Sequence, residues 1–471
     1  MRLEPGAAEL AEGFDRIREE LGVPGTFPPD AEAEAQAAAV PPAGPDRADR
    51  RDLELVTIDP PGSRDLDQAL HIARHGDGFR VSYAIADVGA LVRPGDAVDR
   101  EARLRGVTVY MPDRRSPLHP DAIGEGTGSL LPDADRAALL WTIDVDARGE
   151  PVSVAVERAL VRSRRALGYP EVQGAIDAAA ADGTLALLRE VGELRLAREA
   201  ERGGVSLTVP VQEVTPAPAG GYALHFEAPL PVEDWNAQVS LLTGMAAARI
   251  MIDGGIGLFR TLEPPEPRDV ESLRRSALVL GVEWPEGARY GDVVRALDPR
   301  RPGHAAFAVR ASRLFRGAGY AVWRRADGPP PVHAAIAAPY AHVTAPLRRL
   351  CDRVANEVVL ALVAGAEPPA WAVAALDEMP ERMAETTGRE RSAERAAVDH
   401  LEAVLLAPRI GQDFAGVVID VRDGRATVQI ADPAVVAPLD GDGAEPGTRV
   451  RARLTEADPV QRRVRFTLVP D

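Results

Sequence analysis

The stretch at residues 56–70, VTIDPPGSRDLDQAL, constrains this chain most, because it sets Asp59, Asp65 and Asp67 around two prolines and a glycine. The run leading into it, Leu53-Glu54-Leu55-Val56-Thr57-Ile58, alternates well enough to be a strand. Pro60, Pro61 and Gly62 force a bend after Asp59, so this side chain can turn back toward the next segment. If residues 64–67 are extended, Asp65 and Asp67 fall on one side while Leu66 points into the core. Hard oxygen donors would then converge, which suits Mg²⁺ or Mn²⁺. The local pattern alone fits a solvated turn better, since most Asp clusters beside Pro and Gly cap backbone amides. A nucleophilic Asp65 is a third reading, but that chemistry wants a hydrophobic strand immediately before it, and Gly62-Ser63-Arg64 stand there instead.

With 471 residues the chain exceeds what one core normally serves, so two or three domains are expected. Its single cysteine, Cys351, excludes an internal disulfide framework and fits a reducing compartment. No window approaches the roughly eighteen apolar residues of a membrane span, and the N-terminus lacks an apolar signal core. A cytoplasmic protein without a membrane partner is expected, with a monomer as the starting assumption. All 55 basic residues are arginine, which together with the abundance of Ala, Gly and Pro reflects coding bias and is not a nucleic-acid signature. The formal charge of -17 argues against wholesale binding to a polyanion, so any such site must be local. Residues 300–350 supply a candidate, with Arg300, Arg301, Arg310, Arg313, Arg316, Arg324, Arg325, Arg348 and Arg349 against Asp327 alone. For Arg310, Arg313 and Arg316, at helical spacing, a solvated helix face is the plainer alternative.

In chain order, residues 1–50 read as an amphipathic helix at 7–21 followed by an Ala-, Pro- and acid-rich linker or arm. Residues 51–407 form the main body and 408–471 a small terminal module. Strands are expected at 79–86, 107–111 and 138–145, around a long irregular stretch of the kind that usually carries function. Helices are expected at 185–202, 232–251, 349–362 and 376–406. Glu233 and Asp234 stand in a first helical turn, where capping explains them as well as a site does. The short strands after Phe414 have the pattern of an OB-type barrel, poor in stacking aromatics because only Phe414 and Phe466 occur there. The fold class is therefore α+β, a mixed α/β body followed by a small β-barrel.

With these blocks in order, the chain resembles the ribonuclease II/R family and its RNB catalytic domain. The resemblance rests on Asp59, Asp65, Asp67, Gln68 and Ala69 in the acid loop, Ile85-Ala86-Asp87-Val88, Tyr110-Met111-Pro112, Pro117-Leu118-His119-Pro120, Ser129-Leu130, and the block from Tyr340 to Asp352. It implies a metal-dependent 3′-to-5′ exoribonuclease that releases 5′-mononucleotides from single-stranded RNA, with an OB-type RNA-binding module behind it. By position it implies Asp59, Asp65, Asp67 and Gln68 as the Mg²⁺ (or Mn²⁺) site, and Asp67, Asp65 and Arg348 as the catalytic set. Tyr110, Tyr169, Glu233, Asp234, Tyr340, Thr344 and Arg349 become candidates for RNA contact.

The chain also departs from the family's pattern. Gln68 replaces the family's fourth acid, which keeps an oxygen ligand but removes a negative charge. An RNA-binding protein with weakened or lost catalysis is therefore the alternative expectation. The fifty residues before the body are too few for the cold-shock barrels that usually precede this domain, so weaker RNA capture is expected.

Overall fold

The computed structural model describes residues 5–38, 46–207, 211–217, 221–298, 301–422 and 424–470. Two helices, α1 (Pro5–Glu20) and α2 (Pro29–Ala38), precede the strands β1 (Ala48–Asp49), β2 (Leu55–Asp59), β3 (Gln68–His75), β4 (Gly78–Ala86), β5 (Asp135–Val145) and β6 (Pro151–Gly168), and α3 (Ala97–Arg105) lies in the loop between β4 and β5. Strands β2 to β5 pair antiparallel in sequence order apart from the long connection before β5, and β6 pairs antiparallel with β5 and parallel with β2. The pairing thus runs around a ring, which removes the exposed edges that an open sheet would leave. One face of these strands carries Val56, Ile58, Leu70, Tyr83 and Trp141 in the larger core, and the other carries Leu55, Ala69, Ala84 and Leu140 in a second core. Burial on both faces makes the second half of β4, Tyr83 to Ala86, continuously apolar, whereas Arg80 and Ser82 alternate with Phe79 and Val81 in its first half.

Beyond the ring follow α4 (Tyr169–Asp177), α5 (Gly183–Arg202), the ribbon β7 (Val211–Pro216) and β8 (Tyr222–Glu227), then α6 (Pro231–Gly254) and β9 (Ile256–Thr261). After them come α7 (Pro267–Leu280), α8 (Tyr290–Arg295), α9 (Pro302–Ala311), β10 (Gly319–Arg324), α10 (Leu350–Val363) and the long α11 (Ala370–Leu406). The C-terminal strands β11 (Asp413–Arg422), β12 (Arg425–Ile430), β13 (Val435–Asp440), β14 (Arg449–Asp458) and β15 (Arg463–Leu468) close a five-stranded barrel in the order β11-β12-β13-β15-β14. The expected mixed body and terminal barrel are both present. Phe414 and Phe466 pack edge-to-face inside the barrel, 5.6 Å between ring centroids, and so offer no stacking surface.

Part of the segment read as a linker folds. Ala31 and Ala35 of α2 are buried in the second core, and Glu34 Oε2 accepts a hydrogen bond from Ala97 N at 2.7 Å at the start of α3. Alanine at a spacing of four carries too little hydrophobic contrast to betray a docked helix; residues 39–45 lie outside the described residues. Residues 107–111 do not form a strand; they make isolated bridges, Val107 to Arg349 and Val109 to Ser116. The arginines of 300–350 do not make a free positive surface either. Arg310 and Arg313 both bind Asp420 of the barrel, Arg324 binds Asp377, and Arg349 binds Asp352. Most of that positive charge is spent tying elements together, a role that a charge count cannot distinguish from a patch.

Glu402 on α11 joins the ribbon to the barrel. Its Oε1 accepts from Gln212 Nε2 at 2.6 Å and from Val436 N at 3.0 Å, and burial pushes its pKa up to about 7. A carboxyl raised on folding binds its proton more tightly in the native state, so stability falls as pH rises through about 4.5 to 7. Glu402→Gln keeps the acceptor and removes the charge. Thermal unfolding should show the variant more stable than wild type at about pH 8 and equal to it at about pH 4.5; equal Tm values at both pH values would show that Glu402 is not desolvated.

Candidate active site

Strand pairing assembles the site. The parallel β2–β6 register sets Asp59 opposite Gly168, which places Tyr169 at the start of α4 beside the last residue of β2. Asn236 on α6 reaches the same corner, its Nδ2 3.4 Å from Tyr169 Oη and 3.5 Å from Ile58 O. The loop after Asp59 is clamped by Ser129, whose Oγ donates to Arg64 O at 2.6 Å and accepts from Leu66 N at 2.9 Å. Leu66 is buried, so the expected inward turn of that residue holds, and β3 then begins at Gln68.

Asp67 is 2% exposed. Its Oδ1 accepts from Leu347 N at 2.7 Å, and its Oδ2 accepts from Arg348 Nε at 3.1 Å. Burial raises its pKa to about 7, with Arg348 opposing that rise. Asp59 is raised to about 6, again chiefly by burial, with Arg348 lowering it and Asp65 adding to the rise. Its carboxylate has no hydrogen bond or ion pair with any described residue. Asp65 has partners on the loop after residue 107, where Tyr110 Oη donates to its Oδ2 at 2.6 Å and Arg115 Nη1 lies 3.2 Å away. Arg115 also pairs with Asp121 and Glu125.

The three carboxylates do not close on a single point. No choice of one oxygen from each puts all three within 4.8 Å of one another. Like charges repel, and each carboxylate with a donor in reach has taken it, Asp67 from the 347–348 backbone and guanidinium, Asp65 from Tyr110 and Arg115. The donor set nevertheless fits a hard divalent cation, since it is all oxygen and Asp59 is a desolvated carboxylate with no hydrogen bond or ion pair among the described residues. A tighter cluster, His342, Cys351 and Asp352, does meet the distance. It is already served: Arg349 binds both oxygens of Asp352, and His342 Nδ1 is 2.7 Å from Tyr320 Oη.

Gln68 is held at both ends, its Nε2 donating to Thr344 O at 2.6 Å and its Oε1 accepting from Tyr83 Oη at 3.1 Å. Thr344 Oγ1 in turn lies 2.8 Å from Ser240 Oγ on α6. Tyr340 is buried against Gly244 of α6, where an added Cβ would stand 2.1 Å from its ring. Tyr340, Thr344 and Arg349 therefore hold the loop that presents Arg348, and do not face an opening. Glu233 accepts from Leu230 N at 2.7 Å, which is the capping role, while Asp234 is half-buried next to it. Tyr110, 40% exposed, stands at the end of a cleft of about 950 Å³ walled by the ribbon, α9, α11 and the barrel.

These features can be set against known proteins. A family profile described as the RNB domain matches residues 47–365. The chain belongs to the RNB-domain family. Residues 412–469 match the C-terminal S1 domain of RNase II-type exonucleases. Ribonuclease R of Escherichia coli is 27% identical over 431 residues, which cover 84% of this chain and 52% of that protein, so the chain spans about half the length of this relative. The exosome complex exonuclease RRP44 homolog A of Arabidopsis thaliana is 28% identical over 344 residues, 68% of this chain and 36% of that one. In fold, the RNB-domain body and barrel superpose on Mycoplasma genitalium RNase R in complex with ribose methylated single-stranded RNA with a TM-score of 0.88 at 19% identity, covering 98% of this chain and 78% of that one. They also superpose on yeast Ssd1, described as a pseudonuclease, with a TM-score of 0.73 at 17% identity, covering 95% and 58%.

Sequence reasoning missed Arg115 and Tyr83, and named Ser129 without its role as the clamp on the acid loop. Arg115 gives no signal, because its loop has no period and a neighbouring Arg114; Tyr83 reads only as a strand residue. One consequence can be measured by thermal unfolding. Removing Arg348 deprives a buried carboxylate of its cation, so Arg348→Ala should lower stability at pH 8 by about 1–3 kcal/mol, less than a fully buried pair because Arg348 is 46% exposed. At pH 5, below the raised pKa of Asp67, the loss should shrink; an equal loss at both pH values would mean that the pair is not what matters.

Proposed function

We propose that this RNB-domain protein is a metal-dependent exoribonuclease that degrades single-stranded RNA from the 3′ end to 5′-mononucleotides. The observation that carries the reading is the attachment of Arg348, which binds buried Asp67 through Nε alone and leaves Nη1 and Nη2 without a partner among the described residues, beside Asp59. Those two donors match the non-bridging oxygens of a phosphodiester, and a guanidinium stabilises negative charge there without a proton to lose. Asp59, Asp65 and Asp67 would hold Mg²⁺ or Mn²⁺, which supplies charge neutralisation and an activated water when bound. Hydrolysis then adds water to the phosphorus and expels the 3′-oxygen of the preceding nucleotide, so the released nucleotide keeps a 5′-phosphate.

The remaining residues orient the strand. Tyr110 lies where the cleft meets Asp65, and Tyr169 lies beside Asp59, so both can offer ring faces that stack on any base. Asn236 and Glu233 stand near Tyr169 and would meet the terminal nucleotide. Stacking without base-edge readout gives tolerance of sequence, and a walled cleft favours an unpaired strand.

With 3′-labelled and 5′-labelled single-stranded RNA and Mg²⁺ or Mn²⁺, labelled mononucleotide should appear first from the 3′ end. Asp67→Asn should abolish turnover while RNA binding persists, and Arg348→Ala should slow it by roughly 10²- to 10³-fold. Absence of product with either metal would favour the second reading, an RNA-binding protein without catalysis, which Gln68 and the open arrangement of the carboxylates motivate. A substitution that only adds charge, Gln68→Asp, is a poor rescue here, because it would set a carboxylate against Thr344 O and lose the Tyr83 bond.

A further inference from the structure

The same seam that ties the barrel to the body leaves three cations without an ion pair among the described residues. A cavity of about 510 Å³ lies between α7, the end of α9 and β11, lined by Asp269, Ser272 and Ser276 on one side and by Arg310, Arg313, Arg316, Asp420 and Arg422 on the others. A smaller space adjoins it, sharing Asp420 and Arg422 and adding Arg425 and Thr427. Asp420 is the only acid the barrel's described residues bring here, and it is saturated: Arg310 Nε binds Oδ1 at 3.2 Å and Arg313 binds Oδ2. Arg310 also donates to Ser276 Oγ at 2.8 Å. Asp269, on the far wall, stands 4.0 Å from Arg268.

The guanidinium groups of Arg316, Arg422 and Arg425 have no hydrogen bond or ion pair with any described residue. Arg422 and Arg425 are direct cross-strand partners in the β11–β12 register, an arrangement that like charges disfavour unless an anion sits between them. Asp423, in the turn between them, lies outside the described residues. In a chain of net charge -17, three such guanidinia around two adjoining polar spaces, Arg316 and Arg422 on the larger and Arg422 and Arg425 on the smaller, are a feature that folding does not require. The cavity shares no lining residue with the cleft that ends at Tyr110, although neighbouring residues of α9 and β11 line both.

We propose that this seam is a phosphate-binding site, taking a ligand with two or more phosphate groups bridged by Arg316, Arg422 and Arg425. The phosphates come either from an RNA strand running past the cleft or from a free nucleoside polyphosphate. Occupancy would link the barrel to α9 beyond the Asp420 pairs, because the ligand would contact both. The site stands independently of the nuclease reading, since it uses none of the residues assigned to catalysis.

The test is made with the full chain carrying Arg348→Ala, so that the active-site guanidinium does not contribute, in EDTA so that no divalent cation does. Titration calorimetry with inorganic pyrophosphate and with ATP should show one saturable site, and adding R316A/R422A/R425A should abolish it while leaving the Tm unchanged. For RNA, oligoadenylates of two lengths, about 6 and about 20 nucleotides, are compared by fluorescence anisotropy. If RNA is the ligand, the longer one binds more tightly, and the triple substitution removes that gain and lowers the salt slope by about 2. If a free nucleotide is the ligand, ATP binds and the two oligoadenylates do not differ. Pyrophosphate binding that survives the triple substitution, or no binding of pyrophosphate together with identical affinity for both oligomers, overturns the proposal. Charge reversal by Arg422→Glu alone is the second check and should weaken pyrophosphate binding at least tenfold.

Discussion

The structure depends on a single buried carboxylate. Asp67 has almost no contact with solvent, and in that position an ion needs hydrogen bonds and a counter-charge. Both come from one turn, Leu347 N and Arg348 Nε, nearly three hundred residues later. Everything around that turn serves to hold it. Asp352 accepts from Ala345 N at 2.7 Å and binds Arg349, Asn356 donates to Val343 O, and Thr108 N donates to Arg348 O. The same contacts that satisfy a costly buried charge therefore fix an arginine beside Asp59, so the requirements of folding and of the site coincide.

How much of this is legible in the sequence depends on which forces act locally. The ends of β2 and β4, the helices α5, α6 and α10 and the terminal barrel show in hydrophobic period and turn residues, because adjacent residues determine them. The acid loop shows in composition, and the nearness of Arg348 to it is reached only through the family resemblance, while the direct Asp67–Arg348 bond is visible only in the structure, since no local rule brings residues so distant in sequence together. Arg115 and Tyr83 are out of reach for the same reason: their roles exist only once β2, β3 and the 107–116 loop are adjacent. The docked α2 escapes sequence reasoning because burial of Ala31 and Ala35 leaves no amphipathic contrast. The positive stretch at 300–350 misleads because charge counts ignore partners, and Asp420, Asp377 and Asp352 lie elsewhere in the sequence.

Electrostatics explain how an acidic chain can keep local cationic sites. Arg324, Arg348 and Arg349 of the 300–350 segment each pair with one acid from elsewhere in the fold, and Arg310 and Arg313 share Asp420, where partial burial makes such contacts worth more than at the surface. Among the described residues, guanidinium groups without an ion pair remain on the cleft, at Arg391 and Arg395, and at the seam with the barrel, at Arg316, Arg422 and Arg425, while Arg348 keeps both Nη groups free in the body. The barrel itself does not compensate with aromatic stacking, since both of its phenylalanines are interior. Any attraction for a polyanion is thus concentrated at a few guanidinia and should be steeply salt-dependent.

The most direct measurement of the central claim is a crystal structure with Mn²⁺ and a short single-stranded oligonucleotide bearing an uncleavable terminal linkage, with manganese located by its anomalous scattering. The account predicts manganese held between Asp59, Asp65 and Asp67, with Arg348 Nη1 and Nη2 on the terminal phosphodiester and Tyr110 and Tyr169 against the last bases. Manganese absent from these carboxylates while the oligonucleotide's terminal phosphate lies away from Arg348 would contradict it.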